Sequence, residues 1–296
     1  MTVLAAFSFG RHDPTPIELG ATLARSAGQE LRVVTVVPAP WGTQAAEGTD
    51  REFRAWAEGM GRETVVVAEK LAAEHAPDLT VSVGYVAARS VPGGLLAEAD
   101  RCDARMLVVG SGHGGSYGHV QLSSAADRLL HSAHVPVALA TRGYLASEHG
   151  RVTRATCAFR GDEVSRRTLR ETAAICRDVG ASLRIVTFAV RGRTMYPPDV
   201  SPATEDDVLA AWVAQAEALQ KQALEELSAA DGLPDEVTTE VAVGRSWAST
   251  LDRVAWDRDE VLVVGSSSAG VMQRLFLGSS GAKILRHAPV PAIVVP

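Results

Sequence analysis

The sequence predicts an α/β protein made of two copies of one domain, each a five-stranded parallel sheet with helices on both faces. Three observations predict this fold: the chain has 296 residues, it repeats itself, and short apolar runs alternate with longer helical patterns. Typical domains have about 100–200 residues, so the length fits two of them. Alternation of β-branched runs with helical patterns is typical of parallel sheets that are buried on both faces.

The repeat is clearest near the end of each half. The segments Leu107–Thr141 and Leu262–Pro296 align without a gap and share twelve of thirty-five residues, among them Gly110 with Gly265. Internal similarity at such a spacing indicates two copies of one structural unit. We therefore expect two domains.

The domain boundaries follow from this alignment. The first domain is expected at residues 1–142 and the second at residues 152–296. Between them, Arg142–Arg151 is a polar stretch that contains glycine, which is typical of a connection rather than of a helix or strand.

Each half contains five short apolar runs that predict strands, with helical patterns between them. The predicted strands of the first half are Val3–Phe9, Leu31–Pro38, Leu79–Tyr85, Arg105–Gly110 and Val135–Ala140. Those of the second half are Ala155–Phe159, Leu183–Val190, Val237–Val243, Glu260–Gly265 and Val290–Val295. The last predicted strand of each half is apolar and would be prone to aggregation as an open edge, so we expect these two strands to pair with each other or with a partner chain.

The long second helix of each half carries large apolar residues at helical spacing. In the first half these are Phe53, Trp56, Met60, Val67 and Leu71; in the second half they are Val208, Leu209, Trp212, Val213, Leu219 and Leu227. Residues at this spacing share one side of a helix, so we expect both sets to pack on the sheet.

Composition excludes several classes of protein. The formal charge is −6 and no cluster of basic residues occurs, so nucleic-acid binding is not indicated. No apolar run is long enough to span a bilayer, and the first residues do not resemble a secretion signal, which predicts a cytoplasmic protein without membrane association. Three scattered cysteines form no metal-binding pattern, and we expect them to be reduced.

The loop after the fourth predicted strand is the best candidate for a ligand site. In open parallel sheets, ligands bind at the carboxyl ends of the strands. In the second half this loop begins at Gly265 and Ser266 and reaches the start of a helix at Gly278, Ser279 and Ser280. Unpaired N–H groups and the helix dipole at such a position favour a phosphate.

Together, the five-stranded repeat, this loop and the terminal Val-Pro strand resemble a tandem universal stress protein over almost the whole chain. The resemblance implies two Rossmann-like domains of the adenine-nucleotide α-hydrolase-like type, each with strand order 3-2-1-4-5, joined as an internal pseudo-dimer. Members of this family that bind ATP carry the motif G-x2-G-x9-G-[ST] after strand four. In the second half it falls on Gly265, Ser268, Gly278 and Ser279, with three of four positions matched.

The first half keeps less of this motif. The corresponding residues are Gly110, His113, Ser123 and Ser124, so both later glycines are replaced. Ser111, the counterpart of Ser266, is kept. The resemblance therefore implies nucleotide binding chiefly in the second domain, with Gly110, Ser111 and Ser124 as the residues that remain in the first.

A second landmark of the family is an aspartate at the end of strand one. Ser8 and Arg160 stand at that position in the two halves. Asp13 and Asp162 follow a few residues later and could replace the aspartate only if the loop is rearranged. Arg160 could instead bind a phosphate, because its planar guanidinium suits bidentate contacts.

The resemblance implies a regulatory protein of a stress or dormancy response that binds ATP or another adenine nucleotide, with Mg2+ accompanying it. The alternative is an interaction protein that works without nucleotide, a pseudo-dimer with decayed pockets that contacts an unidentified protein. A third reading is an enzyme that hydrolyses ATP slowly. No catalytic motif supports this third reading, and no catalytic or metal-ligating residue is assigned. The sequence leaves open whether two chains form a further homodimer.

Overall fold

The computed structural model describes residues 2–10, 13–40, 47–112, 114, 116–191, 202–230, 232–266 and 278–296; of residues 47–50 and 202–205 it describes the backbone alone. The strands are β1 (Thr2–Ala6), β2 (Glu30–Pro38), β3 (Val81–Ala88), β4 (Ala104–Val109), β5 (Val137–Leu139), β6 (Arg154–Ala158), β7 (Ser182–Val190), β8 (Val237–Gly244), β9 (Glu260–Gly265) and β10 (Ala292–Val295). The helices are α1 (Thr15–Ala27), α2 (Glu47–His75), α3 (Val91–Arg101), α4 (Ser124–Leu130), α5 (Glu163–Val179), α6 (Pro202–Ala229), α7 (Trp247–Leu251) and α8 (Ser279–His287).

All ten of these strands form one sheet in the order β3-β2-β1-β4-β5-β10-β9-β6-β7-β8. Strands within each half are parallel, and each half has the predicted order 3-2-1-4-5. The predicted fold class is therefore confirmed.

The two halves meet through their last strands. β5 and β10 pair antiparallel, with Leu139 opposite Ala292 and Val137 opposite Val294. The pairing removes both open apolar edges, as the sequence predicted, and makes the sheet continuous.

Helices cover the sheet on both faces. One core cluster contains Ile17 of α1, Ala68 of α2, Leu169 of α5 and Ala223 of α6. A second contains residues of α3, α4, α7 and α8 together with the opposite side chains of the strands. This leaves the carboxyl ends of the parallel strands open at one rim of each half, which is where the sequence placed the ligand site.

The predicted apolar stripes on the long helices are wrong in part. Trp56 is 50% exposed, Val208 48% and Trp212 41%. The residues buried against the sheet in α2 are small and spaced by three or four positions: Ala57, Gly61, Thr64, Ala68 and Ala72. In α6 they are Ala216, Gln220, Ala223 and Leu227, of which Leu227 belongs to the predicted stripe. Small side chains let these helices lie close to the strands, so the larger residues are pushed to the flanks.

Some strand ends also differ from the prediction. β1 ends at Ala6 rather than Phe9, because the chain turns away after the Phe7 N–H donates to the carbonyl of Val34. Phe9 is consequently exposed. β3 begins and ends later than predicted, and β5 is reduced to its three central residues.

Candidate functional site

A pocket of about 310 Å3 opens at the carboxyl ends of β6, β7 and β9 in the second half. It lies between the first turns of α5, α7 and α8 and the side of α6. Its lining residues are Ala158, Phe159, Arg160, Asp162, Val164, Ser165, Thr187, Phe188, Val190, Trp212, Trp247, Val264, Gly265, Gly278, Ser280, Gly281 and Ile284. The volume falls within the range of small-molecule sites.

The amino-terminal end of α8 forms one wall of this pocket. Gly278 is the residue before the helix; it is extended, with ψ 163°, and has no side chain to accept the first N–H groups. Ser280 and Gly281, in the first turn, both line the pocket. An uncapped helix start with its positive dipole end facing a pocket is suited to an anion.

The corresponding helix start in the first half is capped by its own side chain. Ser123 stands where the second half has Gly278, and its Oγ accepts a hydrogen bond from the Ala126 N–H at 3.1 Å. One of the N–H groups that would face a phosphate is thus already paired. At this position Ser123 caps its helix, whereas Gly278 leaves α8 without a side-chain cap.

The loop of the first half is also tied down. The Gly112 N–H donates to the carbonyl of Gln121 at 2.6 Å, and the Gln121 N–H donates to Ser111 Oγ at 2.8 Å. The Arg142 N–H donates to the carbonyl of His119 at 3.0 Å. Ser111 therefore holds the loop together rather than facing an open site.

Ser266, the counterpart of Ser111, differs from it in its side-chain hydrogen bonding. Its side chain is fully buried, and its Oγ has no hydrogen-bond partner in the part of the chain that the structure describes. The Ser266 N–H donates to the carbonyl of Val295 at 2.8 Å, which fixes the backbone at the end of β9. A buried hydroxyl without a partner is costly, so this group has unused capacity for a hydrogen bond.

Gly265 is required by packing as well as by the pocket. A Cβ at this position would overlap with Thr168 Oγ1 and come within 3.1 Å of Val164 Cγ1. Both residues belong to α5, which therefore lies directly against the end of β9. Any larger residue at position 265 would displace this helix and deform the pocket.

Arg160 and Asp162 form an ion pair at the mouth of the pocket. The Arg160 Nε donates to Asp162 Oδ2 at 2.9 Å, and its Nη2 donates to the same oxygen. Asp162 Oδ1 accepts the Ser165 N–H at 2.8 Å and so caps α5. Desolvation raises the pKa of the Asp162 carboxyl, but the hydrogen bonds from Arg160 and Ser165 outweigh it and hold that pKa below its ordinary value.

Asp162 is the carboxylate among the residues that line the pocket. Its charge is shared with Arg160, whose side chain is 67% exposed. In the first half, Asp13 Oδ1 accepts the Thr15 N–H at 3.1 Å near the start of α1. Each aspartate therefore accepts a backbone N–H group at the start of the first helix of its half.

The far side of the pocket is aromatic. Phe188 at the end of β7, Trp212 on α6 and Trp247 in the first turn of α7 all line it. A planar base buries well against such side chains. Trp212 was predicted to pack in the core, and Trp247 was not predicted as a site residue. Trp247 lies shortly after β8, and Trp212 lies on the helix that follows β7; these positions were the signal that could have identified them.

Of the predicted site residues, Gly265, Gly278, Ser280 and Arg160 come together around this pocket. Ser266 and Ser279 adjoin it in the chain but are not among its lining residues, and Ser268 lies outside the described residues. Gly110, Ser111 and Ser124 lie in the first half, at the end of β4 and the start of α4, and β5 and β10 separate β4 from β9 in the sheet.

A sequence model described as the universal stress protein family matches residues 1–141 and again residues 152–296. The chain belongs to the universal stress protein family. A universal stress protein of Mycobacterium tuberculosis strain H37Rv is 36% identical over 296 residues, which is 100% of both chains. The crystal structure of a universal stress protein from Archaeoglobus fulgidus aligns with 99% of this chain and 95% of its own, with TM-score 0.59 and 17% identity.

Some solved members of the universal stress protein family carry adenine nucleotides. One, in complex with cAMP, is 20% identical and covers 49% of this chain and 96% of its own, with TM-score 0.32. Another, from Archaeoglobus fulgidus in complex with dAMP, is 18% identical and covers 46% and 93%, with TM-score 0.30.

Two further searches gave negative results. Across the described ranges, no cluster of three histidine, cysteine or acidic residues could hold a metal ion. None of the helices, as far as the structure describes them, is long and apolar enough to cross a membrane.

Proposed function

We propose that this universal stress protein binds one adenine nucleotide per chain, in the pocket of the second half, and acts as a nucleotide-dependent regulator of a stress or dormancy response. The observation that carries the proposal is the uncapped start of α8 at Gly278, set in a pocket with aromatic walls. The phosphates would face the N–H groups of Ser280 and Gly281, and the base would lie against Trp212, Trp247 and Phe188.

The polar groups around the pocket fit this ligand. Ser266 offers a buried hydroxyl without a partner among the described residues, next to the start of the phosphate loop. Arg160 is held by Asp162 at the mouth, where its remaining N–H groups could reach a phosphate. These two residues, together with Gly265 and Gly278, are the ones we assign to the nucleotide.

The residues that line the pocket offer little to bind Mg2+ directly. Asp162 is the single carboxylate among the lining residues, and it is engaged by Arg160 and by the start of α5. The described residues thus offer no metal site of their own, so Mg2+ would enter with the phosphates of ATP.

The experiment that tests this function is native mass spectrometry with and without Mg-ATP, followed by calorimetric titration. We expect one nucleotide per chain. Gly278→Ser copies the cap of the first half, and should weaken ATP binding about tenfold, which is about 1.4 kcal/mol. The matched control is Ser123→Gly, which should leave the stoichiometry at one because the loop of the first half stays tied by Gly112 and Gln121.

Unchanged affinity of Gly278→Ser for ATP would show that the ligand does not bind at the start of α8. Two nucleotides per chain would show that the first half binds as well. No binding at millimolar nucleotide would favour the second candidate function.

That second candidate is an interaction protein that works without nucleotide. The observation that favours it is the first half, where Ser111 and Ser123 both bond within their own loop or helix. A pocket that satisfies its own polar groups needs no ligand. A regulatory activity that Gly278→Ser keeps in full, at an ATP concentration that saturates the parent but not this weaker-binding variant, would support this reading.

A further inference from the structure

One polar side chain of α6 is buried against the sheet. Gln220 is 2% exposed, and its Nε2 lies 2.9 Å from Thr187 Oγ1 and 2.9 Å from the carbonyl oxygen of Glu240. Thr187 belongs to β7 and Glu240 to the neighbouring strand β8. Gln220 therefore joins its helix to two strands by hydrogen bonds rather than by apolar contact.

These two contacts fix the orientation of the Gln220 amide. The carbonyl of Glu240 can only accept, so the amide atom beside it is the nitrogen and not the oxygen. An amide nitrogen carries two hydrogens; one is donated to the Glu240 carbonyl and the other to Thr187 Oγ1. Thr187 consequently acts as an acceptor towards Gln220.

The hydroxyl hydrogen of Thr187 is left for another partner. In the part of the chain that the structure describes, it is donated to no acceptor, although the residue is only 5% exposed. Thr187 also lines the pocket of the second half. Because a buried donor without an acceptor is costly, an occupant of the pocket that brings an acceptor to this place is favoured.

Thr187 lies across the pocket from the end of β9. Ile185 and Val263 are both opposite Cys157, so Thr187 and Gly265, each two residues further on, stand at the same height of the sheet. β6 separates their two strands. Neighbouring strands are about 4.8 Å apart, which places about 10 Å between Thr187 and Gly265. A nucleotide with its phosphates at the start of α8, the helix that follows β9, therefore has its base at the Thr187 side.

Aromatic side chains also mark this side as the place of the base. Thr187 faces α6, whereas Phe188, the next residue, packs with the core cluster on the other face of the sheet. Both line the pocket, as does Trp212 of α6. Since aromatic side chains bury a flat ring better than a polar ribose, the Thr187 hydroxyl meets the base.

Adenine brings an acceptor on the edge that reaches deepest. The part of the base farthest from the ribose is its six-membered ring, and N1 of that ring carries no hydrogen and accepts. In guanine, N1 carries a hydrogen and donates. A hydroxyl that already accepts from Gln220 and keeps its hydrogen free is suited to adenine N1.

We propose that Thr187, oriented by Gln220, donates a hydrogen bond to N1 of adenine and so selects adenine over guanine nucleotides in the pocket of the second half. The inference rests on the proposed function, which it deepens by naming the side chain that distinguishes the base. Thr187 contacts the ligand, and Gln220 is a positioning residue that acts through it.

The test compares binding of Mg-ATP and of its 1-deaza analogue, in which a C–H group replaces N1, to the full chain by calorimetric titration. Thr187→Val keeps the shape of the side chain and removes the hydroxyl, so it should weaken ATP about tenfold. It should not weaken 1-deaza-ATP, because that analogue has no acceptor at this position. 7-Deaza-ATP keeps N1 and should be weakened as much as ATP. The parent should prefer ATP to GTP, and Thr187→Val should reduce this preference.

The first half offers a matched control. Thr35 is the counterpart of Thr187 and is buried in β2, so Thr35→Val makes the same change in the other half and should leave the affinity for ATP unchanged.

A second variant tests the positioning role of Gln220. Gln220→Met has a similar size but donates no hydrogen bond, so the Thr187 hydroxyl is free to rotate. The preference of this variant for ATP over 1-deaza-ATP should fall from about tenfold to about threefold, which is half of the difference in binding free energy. Because this ratio compares two ligands on one variant, a loss of stability alone does not change it.

Three results would refute the inference. The first is an equal loss of ATP and 1-deaza-ATP binding in Thr187→Val. The second is a loss that 2′-deoxy-ATP cancels and 1-deaza-ATP does not, which would place the hydroxyl against the ribose. The third is ATP binding that Gly278→Ser weakens and Thr187→Val does not, which would refute this inference alone and leave the proposed function intact. Absence of binding of every nucleotide to the parent would refute both.

Discussion

Arg184 and Glu260 form a buried ion pair at the amino ends of β7 and β9, with Nη2 and Oε1 2.5 Å apart. Arg184 Nε also donates to Thr156 Oγ1 at 2.9 Å, and the guanidinium lies 5.1 Å from the centre of the Trp256 ring. The Asp257 N–H donates to the other oxygen of Glu260. This cluster joins three strands at the rim opposite the pocket of the second half.

Removal of one partner of this ion pair should lower the free energy of unfolding by far more than the intact pair contributes to it. Glu260→Ala leaves the Arg184 guanidinium buried without its carboxylate, which typically costs about 3–5 kcal/mol. Urea unfolding should show a correspondingly lower midpoint. Glu163→Ala, at a carboxylate that is 81% exposed, is the control and should leave the midpoint unchanged.

Capping should affect the two halves in opposite directions. Ser123→Ala removes the cap of α4 and should destabilise the ligand-free protein by about 1 kcal/mol. Gly278→Ser adds a cap to α8 and should raise the free energy of unfolding while it lowers affinity for nucleotide. Urea unfolding without ligand checks both. A Gly278→Ser protein that is destabilised would show that the serine cannot adopt the capping geometry.

The closeness of β9 and α5 can be tested by a double-mutant cycle. Gly265→Ala should destabilise the protein by about 1–3 kcal/mol, because the new methyl group overlaps with Thr168 Oγ1. Thr168→Ala removes that oxygen, so the double variant should recover part of the loss. Additive effects in thermal unfolding would argue against the contact.

The aromatic wall should contribute to binding of the base. Trp247→Ala should weaken ATP about fivefold, roughly 1 kcal/mol, through loss of contact with the ring. Trp56→Ala is the control, since Trp56 is an exposed tryptophan on α2 of the first half and does not line the pocket. Equal losses in the two variants, measured by calorimetry, would show a non-specific effect.

The ion pair of Arg25 and Asp78 predicts that the protein loses stability at acidic pH. The hydrogen bond from Arg25 lowers the pKa of the Asp78 carboxyl from 3.8 to about 2. A carboxyl with a lowered pKa in the folded state stabilises that state above its unfolded pKa, and this contribution is lost as the pH falls from about 4 to about 2. Asp78→Asn should therefore show a smaller fall in thermal midpoint over this range than the parent. Identical slopes would contradict the prediction.

Much of the fold follows from the sequence because strand patterns and the repeat are strong signals. The strands were predicted from apolar runs and their order from the family resemblance, and the apolar last strands were expected to pair with each other or with a partner chain. The side of α2 and of α6 that packs on the sheet was not predicted correctly. Periodicity identifies residues that share one side of a helix, but it does not identify the side that packs on the sheet. Ala57 and Ala68 are less conspicuous than Trp56, yet their small size lets the helix approach.

The site was predicted less completely for a related reason. Gly265 and Gly278 were predicted from their spacing in the loop, and Arg160 from its place after the first strand of the second half; all three line the pocket. Spacing did not reveal that Asp162 pairs with Arg160 and caps α5, nor that Ser123 caps α4. Such local hydrogen bonds depend on backbone geometry that the motif does not encode.

The antiparallel pairing of β5 with β10 has a consequence for how the two halves can diverge. In a dimer of identical chains, every substitution occurs on both sides of the symmetry axis, so a change that suits one site is imposed on the other. Here both partners are encoded separately within one chain, and the covalent connection keeps them together at any concentration. One half can therefore carry Ser123, which caps α4, while the other carries Gly278, which leaves α8 without a side-chain cap.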